Sequence, residues 1–146
     1  MPNEDFDEFV KKLQKQIADK ELEEFNERIV ELFHNPINWG KPPDEEITES
    51  HAYEGPCGDT MQFFLKIKDN IIEKANFITD GCGPTVACGS QTTILIEGRS
   101  LEFAENLTAK DIEMALSGLP EDHKHCAELA IRTLRRLIEK YKYNKI

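Results

Sequence analysis

The stretch TMQFFLKIKDNIIEKANFIT, residues 60–79, decides the fold. Apolar side chains occupy every second position over residues 61–67, which is the period of a strand with one face on a core. Asp69–Asn70 predicts a hairpin turn, because both residue types favour turns. A second strand is expected over residues 71–79, with an irregularity near Glu73–Lys74. The stretch therefore predicts an antiparallel β-hairpin.

A helical period replaces the strand period after residue 79. One helix is expected over residues 84–97, since proline suits its first turn and Gly98 stops it. Thr108 and Asp111 have the spacing of a capping box, which opens a further helix. The last helix is expected to start near Asp122. Its apolar stripe consists of Cys126, Leu129, Ala130, Leu134, Leu137, Ile138 and Tyr141.

The segment before the hairpin combines helical spacing with an irregular loop. Residues 1–33 carry an apolar stripe that fits either one long helix or two. Adjacent prolines and four acids indicate an exposed loop over residues 34–49, and a short strand is expected around Ala52–Tyr53. The fold class is therefore α+β: a small three-stranded antiparallel sheet packed against helices, with an N-terminal helical extension.

Charge and composition exclude two classes of partner. The 146 residues include 18 Lys and Arg against 28 Asp and Glu, so the net charge is −10. A protein that follows a nucleic-acid backbone, or one that binds anionic lipid, needs the opposite sign. No apolar run approaches the roughly 20 residues of a membrane span. The acidic N-terminus lacks a basic leader pattern, which predicts a cytoplasmic location.

The hairpin is expected to bring two cysteine-bearing turns to one end of the sheet. Cys57 comes just before the first hairpin strand and Cys82 just after the second. Cys82 is also expected at a helix N-terminus, where the thiolate is favoured. The flanking Gly81 and Gly83 let the backbone approach a bulky ligand closely.

Cys126 follows His125 at the start of the last helix and completes a candidate metal site. The candidate ligands are Cys57, Asp59, Cys82, His125 and Cys126. Three thiolates with one nitrogen or oxygen suit Zn²⁺ or an iron–sulfur cluster. A cysteine is more often a small buried hydrophobe, which is the favoured interpretation of Cys88. His34, His51 and His123 are expected on the surface.

Four segments, in this order, resemble the iron–sulfur cluster assembly scaffolds of the IscU type and the N-terminal domain of NifU. They are HNPINWG at 34–40, GPCGDTM at 55–61, DGCG at 80–83 with Val-Ala at 86–87, and Leu-Pro at 119–120 with His-Cys at 125–126 and Leu-Ala at 129–130. The C-G-D and H-C-x-x-L-A elements are specific, and the likeness spans about residues 25–143. It implies a scaffold domain over 25–146, preceded by a helical extension over 1–24.

The resemblance implies a carrier rather than an enzyme. Such a scaffold builds a [2Fe–2S] cluster from iron and from sulfur supplied by a cysteine desulfurase, and passes it to apo iron–sulfur proteins. Carried over, Cys57, Cys82 and Cys126 are thiolate ligands or sulfur acceptors, with Cys126 the first persulfide site. Asp59 and His125 match the non-thiolate residues, and which of them is the fourth ligand stays open. Zn²⁺ in the apo form is also implied.

The chain departs from the family pattern where partners are concerned. The Leu-Pro-Pro-Val-Lys stretch that a dedicated chaperone reads is Leu-Pro-Glu-Asp-His here, at residues 119–123, so the chaperone motif is degenerate. Ile37 replaces the family's arginine in the first segment. An iron donor and a homo-oligomer are compatible with the resemblance, and neither is specified by the sequence.

Two other functions fit the same cysteines. The SufU type is a zinc-dependent sulfur acceptor, but it has an insertion between its second and third cysteines and a lysine in place of the ligand histidine. Here the interval from Cys82 to Cys126 has scaffold length and His125 is present. A structural zinc domain would bury its ligands, whereas Cys57 and Cys82 are expected in open loops.

Overall fold

The computed structural model of the protein describes residues 8–12 and 25–145. The helices are α1 (Glu27–His34), α2 (Gly83–Ile96), α3 (Leu101–Glu105), α4 (Ala109–Ala115) and α5 (His125–Lys145). The strands are β1 (Glu49–Glu54), β2 (Thr60–Lys68) and β3 (Ile71–Thr79). Short 3₁₀ turns occupy Asp44–Glu46 and Glu121–His123, and residues 8–12 are helical. Among the helices of the described residues, none is long and apolar enough to cross a membrane.

The three strands form one antiparallel sheet in the order β1-β2-β3, which confirms the predicted fold class. Asp69 and Asn70 both have positive φ angles, 53° and 63°, as a two-residue type I′ hairpin turn requires. Lys66 pairs with Lys74 but the next residue, Ile67, pairs with Ile72. Glu73 is therefore the extra residue of a β-bulge, at the predicted irregularity.

The core lies between one face of this sheet and the helices α2 and α5. Met61, Phe63 and Phe77 are fully buried on that face. Eleven of the fourteen residues of α2 are buried, so this helix is enclosed on nearly all sides and carries no amphipathic stripe. The predicted stripe of α5 is buried except for its last member, Tyr141, which is half-buried.

The loop between α1 and β1 protects the free edge of β3. Gly40 donates its N–H to the carbonyl of Phe77, and Phe77 donates its own N–H to the carbonyl of Asn38. The Trp39 ring meets the Phe77 ring edge to face, with 5.2 Å between the centroids. An edge covered in this way does not offer its backbone groups to another chain.

The helical pattern at the N-terminus is interrupted before α1. Asn26 caps α1 by accepting a hydrogen bond from the N–H of Ile29, and its amide nitrogen donates to the carbonyl of Leu116. Residues 1–33 are therefore not one continuous helix. The extension predicted over 1–24 lies outside the described residues apart from 8–12, and its boundary at residue 24 stays a prediction.

Two local features differ from the sequence expectations. The short helix α3 was not expected; Ser100 caps it by accepting from the N–H of Phe103. The last helix begins at His125 rather than near Asp122, because a 3₁₀ turn over residues 121–123 takes up the chain before it. That turn places His125 and Cys126 in the first turn of α5.

Close contact between α2 and β3 depends on Gly89. A Cβ atom added at this residue would lie 2.5 Å from the Phe77 ring and 3.2 Å from the methyl of Met61. Overpacking of this kind costs about 1–3 kcal/mol, whereas replacing a helical glycine by alanine gains at most about 1 kcal/mol. We expect Gly89→Ala to lower the free energy of unfolding, measured by urea denaturation.

The control is the same change in a Phe77→Leu background. Leucine removes ring atoms from the site of the clash, so the alanine should cost less there than in the wild type. Equal costs in both backgrounds would show that the Phe77 ring is not what requires glycine.

Candidate metal centre

The site is built at the end of the sheet where β2 begins and β3 ends. Met61 pairs with Thr79, so the turn before β2 and the turn after β3 lie side by side. The backbone N–H of Thr60 donates to Asp80 Oδ1 at 2.7 Å, and the Thr79 hydroxyl donates to the carbonyl of Thr60 at 2.6 Å. These bonds fix the two cysteine-bearing turns relative to each other.

Each turn presents one exposed cysteine. Cys57 lies in a tight turn in which the N–H of Gly55 donates to the carbonyl of Asp59 at 2.9 Å, and Gly58 supplies a φ of 90°. Cys82 is the N-cap residue of α2 and is also exposed. A left-handed backbone at Gly58 favours glycine there, which explains its place directly after the cysteine.

Three candidate ligands converge at the surface. The Sγ of Cys57, a carboxylate oxygen of Asp59 and a ring nitrogen of His125 all lie within 4.8 Å of one another. Ligand atoms around a tetrahedral zinc ion lie about 3.3–3.8 Å apart. Small side-chain rotations would therefore be enough for these three groups to bind one metal ion. Thiolate, carboxylate and imidazole together suit Zn²⁺ or iron.

The other two candidates lie beside this triad rather than in it. Cys126 is fully buried at the start of α5, with its Sγ 3.8 Å from the Nε2 of His125. The Thr85 hydroxyl lies 3.3 Å from Cys126 Sγ and 3.9 Å from Cys82 Sγ. The same hydroxyl is 3.4 Å from Asp59 Oδ2. The five candidate ligands thus surround one region, with Thr85 at its base.

Burial controls the chemistry of Cys126. Removal from water raises the pKa of its thiol to about 11, although the hydrogen bond with Thr85 acts in the opposite direction. The side chain is therefore a neutral thiol near pH 7. Metal ligation at Cys126 must displace a proton.

Cys88 does not share this surface. It is fully buried within α2, and burial raises the pKa of its thiol well above the ordinary value. Both facts agree with its interpretation as a small hydrophobic core residue.

The remaining histidine near the site, His123, is less exposed than expected. Its ring meets the Phe25 ring edge to face at 5.3 Å and lies 6.2 Å from the ring of His125. Together with Cys82 it borders an apolar recess of about 220 Å³. A second recess, of about 300 Å³, borders Cys57 and His125. The candidate metal site therefore lies between two concave surfaces.

Sequence reasoning missed Thr85. It comes three residues after Cys82, which puts it one helical turn inside α2 and facing the same way. The three-residue spacing from Cys82 is the signal that could have identified Thr85. It is a weak signal, because a threonine in an apolar helix ordinarily donates its hydroxyl to a backbone carbonyl of the same helix.

Known proteins resemble this chain in sequence. The family model described as the NifU-like N terminal domain matches residues 24–146. The iron–sulfur cluster assembly scaffold protein IscU of Aquifex aeolicus is 37% identical over 120 residues, which cover 81% of this chain and 76% of the relative. The IscU of Escherichia coli K12 is 34% identical over 121 residues, which cover 81% of this chain and 94% of the relative.

Solved structures share the fold. A NifU-like protein (N-terminal) from Brucella abortus superposes with a TM-score of 0.61 at 17% identity, covering 81% of this chain and 94% of that one. A Fervidobacterium islandicum protein, named for cluster assembly in the SUF system, gives 0.63 at 14% identity, covering 80% and 98%. At these identities the likeness shows the fold alone.

The exposure of the four cysteines predicts their order of alkylation. At pH 8, iodoacetamide should modify Cys57 and Cys82 first, because Cys88 and Cys126 are buried. The thiolate is the reactive form. Below a pKa of about 11, the labelling rate of Cys126 should therefore rise about tenfold per pH unit.

The modified positions are read by peptide mass spectrometry of the folded, metal-free protein. Denatured protein is the control, in which all four thiols should react at similar rates. Early labelling of Cys126 in the folded protein would contradict the burial on which this expectation rests.

Proposed function

Because the chain belongs to the NifU-like N-terminal domain family, we propose that it is a scaffold on which a [2Fe–2S] cluster is assembled and from which the cluster is passed to apo-proteins. The observation that carries the proposal is the convergence of Cys57, Asp59 and His125 beside Cys82 and Cys126. Curated scaffold proteins at 34–37% identity over most of the chain support the same function.

The donor set suits a cluster that is cargo. A [2Fe–2S] cluster is held most firmly by four thiolates. This site offers three, Cys57, Cys82 and Cys126, and completes the set with either Asp59 or His125. A carboxylate or imidazole is the weaker partner for iron in a cluster, so the cluster is easier to release.

Exposure also supports transfer. Cys57, Cys82 and His125 are exposed and Asp59 is half-buried, so an acceptor protein can reach one side of a bound cluster. Cys126 holds the opposite side from within the fold. An incoming thiolate can then replace the outer ligands while the inner one retains the cargo.

The partners follow from this function. A cysteine desulfurase would supply sulfur, and apo iron–sulfur proteins would receive the cluster. Cys126 as the first persulfide site requires the start of α5 to open, because its thiol is buried in this structure. Four further points stay predictions: an iron donor, chaperone recognition through the degenerate stretch at 119–123, a homo-oligomeric state and a cytoplasmic location.

The second candidate function is a zinc-dependent sulfur acceptor of the SufU type. One observation favours it: the surface triad offers a thiolate, a carboxylate and an imidazole, which suit Zn²⁺. In that case zinc would remain bound, sulfur would be accepted on a cysteine, and no cluster would form.

Anaerobic reconstitution with ferrous iron, cysteine, a cysteine desulfurase and dithiothreitol distinguishes the two functions; the dithiothreitol reduces the persulfide sulfur to sulfide. A scaffold should develop sulfide-to-iron charge-transfer bands with an iron-to-sulfide ratio of about one. Cys57→Ser should lose these bands, whereas Cys88→Ala should keep them, because Cys88 lies in the core. Faster sulfide release with retained zinc and no bands would move the assignment to the sulfur acceptor.

Replacing Asp59 tests how the cluster is released. We expect the cluster on Asp59→Ala to survive several-fold longer than on the wild type, because a labile ligand and a negative charge are removed from the exposed side. The measurement is the decay of the visible absorption under a fixed concentration of oxygen or chelator. Asp44→Ala, which removes one exposed carboxylate outside the site, is the charge control. Equal decay of all three proteins would count against a role for Asp59 in release.

A further inference from the structure

Thr85 lies at the base of the site without being one of its candidate ligands. It is in the first turn of α2 and its side chain is fully buried. Its hydroxyl oxygen lies 3.3 Å from Cys126 Sγ, 3.4 Å from Asp59 Oδ2 and 3.9 Å from Cys82 Sγ. One buried hydroxyl therefore touches ligand atoms from three different segments of the chain.

The position of this hydroxyl is fixed by packing. A Cβ atom at Gly81 would lie 2.6 Å from the Thr85 methyl carbon and 2.7 Å from its Cβ. The absence of a side chain at Gly81 is thus what lets Thr85 press against the turn that carries Cys82. Threonine in a helix ordinarily adopts two χ1 rotamers, and the close packing against Gly81 holds Thr85 in the observed one. The oxygen is held towards the sulfur of Cys126.

Ligation decides which way the hydroxyl donates. A hydroxyl has one hydrogen and two lone pairs. In this structure it donates to Asp59 Oδ2, which leaves its lone pairs to accept from the Cys126 thiol 3.3 Å away. A sulfur bound to a metal has lost its hydrogen and can only accept. With a metal bound there, the hydroxyl would donate to Cys126 Sγ, and Asp59 would lose that donor.

From this geometry we propose that Thr85 is a positioning residue, whose hydroxyl donates a hydrogen bond to the Cys126 sulfur when the site is loaded and so sets the electronic properties of the bound metal. The proposal rests on the proposed function where a cluster is concerned. Hydrogen bonds to the sulfurs are one of the factors that set the reduction potential of an iron–sulfur cluster. A donor withdraws electron density from the thiolate and stabilises the reduced state, so the potential becomes more positive.

Two substitutions separate the hydroxyl from the packing. Thr85→Val keeps the shape and removes the hydroxyl, whereas Thr85→Ser keeps the hydroxyl and removes the methyl group. Thr133→Val is the matched control: Thr133 is also fully buried in a helix, but its hydroxyl donates to the carbonyl of Leu129.

The first measurement is the reduction potential and visible spectrum of the reconstituted cluster. For Thr85→Val we expect a more negative potential and charge-transfer bands moved to longer wavelength. Thr133→Val should match the wild type in both. Thr85→Ser keeps the donor but loses the methyl group that orients it, so it should shift less than Thr85→Val. A Thr85→Val potential equal to that of the wild type would overturn the proposal, and so would a shift in Thr85→Ser as large as that in Thr85→Val.

The second measurement uses Co²⁺ bound to the metal-free proteins and does not require a cluster. Comparison with Cys126→Ser identifies the part of the thiolate-to-cobalt charge-transfer band that comes from Cys126. That part should move to longer wavelength in Thr85→Val, and should move less in Thr85→Ser, which keeps the hydroxyl. If the wild type forms no cluster, the proposed function fails, while the cobalt spectra still decide the role of Thr85. If Thr85→Val does not fold, Thr85→Ala removes the hydroxyl without putting a methyl group in its place. An unmoved band in the variant that folds would overturn the inference.

Discussion

The register of the β2–β3 hairpin is the constraint on which the rest of the structure depends. The type I′ turn at Asp69–Asn70 and the bulge at Glu73 place Met61 opposite Thr79. A slip of one residue would turn every inward side chain of a strand to the other face. It would also move the Cys82 turn away from the Cys57 turn. The same pairing that buries the core therefore brings the candidate metal ligands together.

Helix α2 transmits this constraint from the sheet to the site. Gly89 lets the helix approach Phe77 closely, and the helix begins directly after Cys82. Thr85 is fixed one turn into the same helix, with its hydroxyl near the sulfur of Cys126. The position of the buried candidate ligand, Cys126, relative to the exposed candidates thus depends on how α2 lies on the sheet. Rigid support of this kind is what holds a set of ligands in a defined geometry.

The sequence predicted the parts of this fold that follow from local chemistry. Alternation over residues 61–67, turn residues at 69–70 and the capping pair Thr108 and Asp111 all depend on near neighbours, and the structure confirms them. The short helix α3 and the 3₁₀ turn before His125 were missed, because neither has enough residues to show a period. The contact between the Thr85 hydroxyl and the Cys126 sulfur joins residues that are far apart in sequence. The spacing of residues therefore could not predict it.

The gradient of exposure across the site argues against a structural zinc domain on physical grounds. A structural zinc site is normally closed, with four ligands shielded from water. Here Cys57, Cys82 and His125 are exposed and only Cys126 is fully buried. Exposed ligands of this kind stabilise the fold little, but they can be replaced by the ligands of another protein. The buried thiol of Cys126 must lose its proton before it can bind a metal together with the exposed candidates. Tight binding at Cys126 therefore requires a metal–sulfur bond that is stronger than the cost of this deprotonation. One buried thiol that is hard to deprotonate, beside several exposed candidate ligands, suits a cluster that must be bound and then released.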